Sequence, residues 1–180
     1  MSATFFNGAS TVNSDDGLSP VEVSVPFEDF YRREYPSLFA VAATMSGGMN
    51  GAEDLVQDTM LRTYVNWRRV QRLERPGGWC HRVLVNLCRN WHRRRVNESS
   101  FLARQRRTEP ATGGPSGDTL AFCQAVRRLP SRPRSVVALY YIGDRSVADV
   151  ALILGVPEGT VRSDLTRARV VLAAELGVTS

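Results

Sequence analysis

The sequence predicts an all-α protein: two small helical domains joined by a flexible linker, the C-terminal one containing a helix-turn-helix. Three observations carry this expectation. From Phe27 onward, apolar residues follow helical rather than strand spacing. A Pro/Gly-rich stretch, ATGGPSG, interrupts the helical tracts. The run SVADVALILGVPEGTVRSDLTRARVVL, Ser146 to Leu172, has the layout of two helices crossing at a tight turn.

Residues 1–26 are rich in Ser, Thr, Asn and Gly and read as a flexible extension. Val21, Val23 and Val25 alternate like a short strand that would order only on a partner. The first domain is expected over 27–96. Phe27, Phe30, Tyr31, Tyr35, Leu38, Val41 and Ala42 mark its first helix, with Pro36 as a kink or boundary. After a glycine-broken loop at 46–50, a second helix is predicted from Gly51 to Trp67. Ala52, Leu55, Val56, Thr59, Met60 and Tyr64 form its apolar face; Glu53, Asp54, Gln57, Asp58 and Arg62 form the other. Arg68 to Arg75 reads as a basic loop, and Pro76 suits the first turn of a third helix. That helix carries apolar Trp79, Val83, Leu84, Leu87, Cys88 and Trp91 among Arg82, Asn86, Arg89, Asn90 and Arg93 to Arg95. No acid interrupts it between Arg75 and Val96, unlike an ordinary solvated face.

Residues 97–117 read as the linker and 118–176 as the second domain, with 177–180 as a tail. Leu120, Ala121, Val126 and Leu129 mark one helix, and Val136, Val137, Leu139, Tyr140 and Ile142 another, with Cys123 as a core thiol. In the helix-turn-helix, Val147, Val150, Ala151 and Leu154 share one face. Gly155 stops the first helix, and Pro157 opens the second near Glu158. Val161, Leu165, Ala168 and Leu172 form the buried stripe of the second helix. Glu158, Thr160, Arg162, Ser163, Thr166 and Arg167 then face outward, where arginines near a helix N-terminus reach phosphates and base edges in a major groove.

Composition narrows the partners. The 180 residues carry a net charge of +5, and every basic side chain is arginine. The positive excess predicts an anionic partner, and arginine suits bidentate contacts with phosphate and guanine. Three cysteines, Cys80, Cys88 and Cys123, without a CxxC spacing argue against a disulfide framework and for a reducing cytoplasm. Ligands at the spacing of Cys80, His81, Cys88 and His92 do not converge on one helix, so neither a metal nor another cofactor is expected. No apolar run has the length of a membrane span, and the N-terminus lacks the pattern of a signal peptide.

In order, an acidic helix, a basic loop, a basic helix, a linker and a helix-turn-helix resemble the extracytoplasmic-function (ECF) sigma factors, the smallest sigma-70-type initiation factors. The resemblance spans Phe27 to Ala173. It rests on AEDLVQDTMLRTY at Ala52 to Tyr64, PGGWCHRVLVNLCRNWHRRR after it, LPSRPRSVVALYY at Leu129 to Tyr141 and GTVRSDLTRAR at Gly159 to Arg169. It implies a promoter-specificity subunit without catalysis of its own. Glu53, Asp54, Leu55, Gln57 and Asp58 would belong to the surface that docks on core RNA polymerase. Arg68, Arg69, Arg72 and Arg75 would lie where a flipped base of the melted minus-10 element is captured. Asn86 and Asn90 would contact bases of the opened strand, and Arg82, Arg89 and Arg93 its backbone. Glu158, Thr160, Arg162, Ser163, Thr166 and Arg167 would read the duplex minus-35 element. The family further implies a linker running through the polymerase channels and an anti-sigma factor that clasps both domains. Asp164 departs from the family, which often has a basic residue there, and would weaken phosphate attraction locally. Asp149 stands where Glu is usual.

Two other classes compete. A stand-alone helix-turn-helix regulator would share the C-terminal domain and usually dimerise on paired half-sites, but it has no use for the acidic motif at Ala52 to Tyr64. A metal-dependent hydrolase using His81, His92 and the cysteines lacks a phosphate loop or nucleophile motif.

Overall fold

The computed structural model describes residues 26–47, 49–101 and 117–177, and among these every regular element is helical. The expected extension up to residue 25, most of the linker (102–116) and the last three residues lie outside the described residues. Among the described residues eight α-helices follow in order: α1 Phe27–Ser46, α2 Met49–Val65, α3 Trp67–Val70, α4 Pro76–Phe101, α5 Gly117–Arg128, α6 Ser131–Val137, α7 Val147–Leu154 and α8 Glu158–Leu176. A π-helical turn, Ala138–Ile142, extends α6.

The N-terminal half is a bundle of α1, α2 and α4. Phe30, Leu38, Val41 and Ala42 of α1, Ala52, Val56 and Met60 of α2, and Cys80, Leu84, Val85 and Cys88 of α4 close its interior. α1 runs through Pro36 without ending. Pro36 itself is exposed, while Phe30 and Leu38 on either side are buried, so packing offsets the hydrogen bond that proline cannot donate. In α2, Thr59 and Thr63 are fully buried and satisfy their hydroxyls on the carbonyls of Leu55 and Thr59, at 2.7 and 2.8 Å. The expected basic loop contains the short helix α3, and α4 continues past the expected end at Val96 to Phe101.

In the C-terminal half, Val126 and Leu129 of α5, Val136 and Val137 of α6, and Leu139 of the π turn pack with Val150, Ala151 and Ile153 of α7. The α8 stripe Val161, Leu165, Ala168 and Leu172 completes the interior. The two halves do not stand apart as the linker suggested. Their interiors form one continuous hydrophobic cluster, with α1 against α5 and the π turn, and α4 against α7. Gly143 permits the closest part of this approach, since a Cβ there would lie 2.8 Å from the Leu139 carbonyl and 3.1 Å from Val41.

Candidate nucleic-acid interface

Local chemistry sets the helix-turn-helix. The Ser146 hydroxyl accepts from the Asp149 backbone N–H at 3.1 Å, the N-cap bond that starts α7, and donates to the Asp149 carboxylate at 2.6 Å. The Ser146 hydrogen bond, together with Arg75, holds the Asp149 carboxyl below its usual range. Gly155 ends the helix with φ +67°, a left-handed conformation that costs a residue with a Cβ about 1 to 2 kcal/mol. Gly155→Ala is therefore expected to lower stability by about that amount in urea denaturation. α8 then opens at Glu158 behind Pro157.

On α8, the predicted outward residues Glu158, Arg162, Ser163, Thr166 and Arg167 are exposed, and Thr160 is half-buried. Arg162 pairs with Glu158 one turn back at 2.6 Å, and the Thr166 hydroxyl returns to the Arg162 carbonyl at 3.0 Å. Asp164 is a correction. Its side chain is only 2% exposed and accepts two hydrogen bonds from Arg132 of α6, at 2.7 and 3.2 Å. It ties α6 to α8 and does not face a phosphate. Half of Arg132 remains exposed beside it.

On α4, residues 82, 86, 89 and 93 recur at i, i+4, i+7 and i+11 and form one stripe, with Asn90 beside it. Asn86, Asn90 and Arg93 are exposed, and burial lowers the pKa of half-buried Arg89. Arg82 is engaged: its guanidinium donates to the carbonyls of Ile153, at 3.1 Å, and Leu152, both at the C-terminus of α7. Arg68, Arg69, Arg72 and Arg75 are exposed around α3 and the turn into α4, and Arg75 pairs with Asp149.

On α2, Glu53, Asp54 and Gln57 are exposed, Asp58 is partly exposed and bonded twice by Arg62, and Gln57 donates to Glu53 at 3.3 Å. Leu55 points into the core instead (7% exposed), so it cannot belong to the same outward surface. Tyr64, expected on the apolar face, is 59% exposed and packs edge-on against Phe27. Sequence reasoning missed Leu61 and Val65, exposed at 62% and 74%, one and two turns beyond Asp58 on the same side of the helix. Their spacing from Asp54, i+7 and i+11, was the available signal.

Cys80, His81 and Cys88 are buried, whereas His92 is exposed. Burial pushes the Cys80 thiol up to about 11 and Cys88 to about 12, so both stay protonated and neither is a thiolate ligand at neutral pH. Among the described residues no helix is long and apolar enough to cross a membrane.

Comparison with known proteins places two matches on these surfaces. A family model described as Sigma-70 region 2 matches residues 30–98, and one described as Sigma-70, region 4 matches residues 120–172. The ECF RNA polymerase sigma factor SigM of Mycobacterium tuberculosis is 31% identical over 157 residues, covering 84% of this chain and 77% of its own. ECF RNA polymerase sigma factor EcfG of Rhodopseudomonas palustris is 33% identical over 152 residues, covering 79% and 81%. Among solved structures, the sigma factor RpoE of Bartonella quintana, in complex with the anti-sigma factor NepR, aligns with a TM-score of 0.71 at 28% identity. That alignment covers 86% of this chain and 98% of RpoE.

Proposed function

Because this chain belongs to the ECF RNA polymerase sigma factors, we propose that it binds core RNA polymerase and directs initiation at its own class of promoters, with no catalytic step of its own. The observation that supports this assignment of surfaces is the presence of two exposed arginine-bearing faces of different kind, on α8 and α4, beside one face that is acidic, on α2. The α8 face, led by Arg162 and Arg167, suits the major groove of a duplex minus-35 element. The α4 stripe of Asn86, Arg89, Asn90 and Arg93, with Arg82 at its start, suits an opened strand that needs a positive track. Arg68, Arg69, Arg72 and Arg75 lie where an unstacked minus-10 base would be held.

The α2 face is the polymerase-docking surface in this reading. Asp54 and Asp58 continue into exposed Leu61 and Val65, and a charged rim beside an apolar patch is the composition of a protein interface rather than of a solvated helix. Leu55 supports that surface from the core and does not touch the partner. The protein is expected to act in the cytoplasm under an anti-sigma factor, the kind of partner held by the Bartonella relative.

The experiment is run-off transcription with purified core polymerase, this protein and fragmented DNA from its own genome. Discrete start sites that require both proteins support the role and yield the promoter motif. DNA binding as a dimer with no initiation would leave only a stand-alone helix-turn-helix regulator. Asp54→Ala combined with Leu61→Ala is expected to weaken core binding at least tenfold, about 1.4 kcal/mol or more, while the circular dichroism spectrum is unchanged. Unchanged affinity for core removes α2 as the docking surface.

A further inference from the structure

α6 carries two arginines in its first turn, and the fold uses them differently. Arg134 turns back on its own chain, donating to the Leu129 carbonyl at 2.9 and 3.2 Å, and is half-buried. Arg132 reaches across to α8 instead. Its Nε and Nη2 donate to the two oxygens of Asp164, at 2.7 and 3.2 Å, while 53% of its side chain stays exposed. A guanidinium has five N–H donors. Two are spent on the carboxylate, so three remain: both on Nη1 and one on Nη2.

Where that guanidinium stands follows from the period of α8. Thr160, Asp164 and Arg167 recur at i, i+4 and i+7 and form one row. Thr160 and Arg167 belong to the face assigned above to the minus-35 duplex, and Asp164 lies between them at its inner border. An arginine held within hydrogen-bond distance of Asp164 is therefore at the edge of the DNA face, beside both residues. The exposed residues next to the pair in the sequence or on this row, Ser131, Ser163 and Arg167, carry no negative charge.

The pair is asymmetric in what water meets. Asp164 is 2% exposed, so its charge is turned inward, whereas the cation of Arg132 lies at the surface. Anchoring on one edge also fixes the plane of the guanidinium. A donor fork that is already oriented loses less entropy on taking a phosphate than a free side chain does.

We propose that Arg132 is a further phosphate contact of the minus-35 duplex, a cation supplied from α6 and aimed by Asp164. The inference rests on the reading of α8 as the major-groove helix. It reverses the expectation that Asp164 weakens phosphate attraction, because the acid at position 164 brings a basic side chain from α6 to the same border. Contacts to phosphates fix the register of a helix in the groove, and contacts to base edges choose the sequence. Arg132 is thus a positioning residue, and its effect on binding is the same for every minus-35 sequence.

Arg132→Ala alone is a poor test, since it leaves the Asp164 carboxylate buried without its partner and destabilises the C-terminal half. Two neutral replacements of the pair avoid this. Arg132→Gln with Asp164→Asn keeps a hydrogen bond available, and Arg132→Met with Asp164→Leu fills the site with apolar atoms. Each removes one charge of either sign, so the net charge of the chain stays at +5. Arg132→Lys keeps the cation. The measurement is fluorescence anisotropy of reconstituted holoenzyme on labelled duplex promoters, between about 50 and 200 mM salt. Wild-type affinity for core polymerase and an unchanged circular dichroism spectrum qualify each variant.

In both neutral pairs log affinity is expected to fall less steeply with log salt, by about 0.9, the value of one phosphate. Their deficit is then about 3.5 times larger at the low-salt end. It is equal on promoters graded at minus-35, and Arg132→Lys keeps the wild-type slope. Neutral pairs with the wild-type slope overturn the proposal, and so does a deficit confined to promoters that match the motif, the mark of a base contact. Arg162→Ala with Arg167→Ala is the control on the reading beneath it. If that double variant still discriminates among minus-35 sequences, the α8 assignment has failed and Arg132 falls with it. If it no longer discriminates while the neutral pairs keep the wild-type slope, Arg132 alone is wrong.

Discussion

Replacing Arg162 and Arg167 together with alanine is expected to abolish discrimination among minus-35 sequences. The two exposed guanidinia stand one and a half turns apart on the outward face of α8, and a bidentate contact to a base edge is worth about 1 to 3 kcal/mol of selectivity. The pair then carries roughly 2 to 6 kcal/mol, with promoters that match the motif losing most and poor promoters little. Arg162 also releases its Glu158 partner, but that is an exposed helical pair of little energetic weight. The comparison is Arg89→Ala with Arg93→Ala on α4, which should weaken all promoters alike and flatten the salt dependence of binding. The check is in vitro transcription by reconstituted holoenzyme on a set of promoters graded at minus-35, over a range of salt. A uniform loss from the α8 pair would move sequence reading away from this face.

Mild acid is expected to destabilise the protein through His81. The ring is fully buried in α4, and its Nδ1–H donates to the Gly77 carbonyl at 3.0 Å. Nε2 faces the Ser37 hydroxyl at 3.3 Å. Burial, followed by the nearby Arg145 guanidinium, lowers its pKa to about 4, with the Gly77 hydrogen bond and the Glu34 carboxylate acting the other way. The unfolded chain, with an ordinary value near 6.5, then binds the proton more readily than the folded one. Stability from this residue is complete above about pH 6.5 and is lost as pH falls towards 4, roughly 3 kcal/mol in all and about 2 kcal/mol between pH 7 and 5. Urea denaturation at those two pH values measures the loss. In His81→Gln most of that difference should vanish, and an unchanged slope would assign the acid sensitivity to other groups.

Much of the molecule was legible in the sequence because short-range rules decide it. Helical spacing located the buried faces of α1, α4, α7 and α8, and Gly155 and Pro157 fixed the turn, since a left-handed cap and a helix-opening proline act within a few residues. The outward face of α8 followed from the same period. Where the sequence misled, it did so for identifiable reasons. Asp164 lies at i+3 from Val161 and i−4 from Ala168, on the buried stripe, yet its charge argued for the surface. The ion pair with Arg132, 32 residues away, makes its burial tolerable. Leu61 and Val65 are apolar but exposed, because the interior of the N-terminal bundle is already filled by α1 and α4.

The sequence by itself therefore determined the all-helical class, the helix-turn-helix and the chemical character of each face, because periodicity, capping and charge are local properties. The tertiary structure alone decided that the two halves share one interior, that Glu34 lies against Gly77, and that Arg75 and Arg82 are held by α7. Those pairings join residues 43 to 74 positions apart, and which long arginine meets which distant carboxylate or carbonyl depends on how whole helices pack.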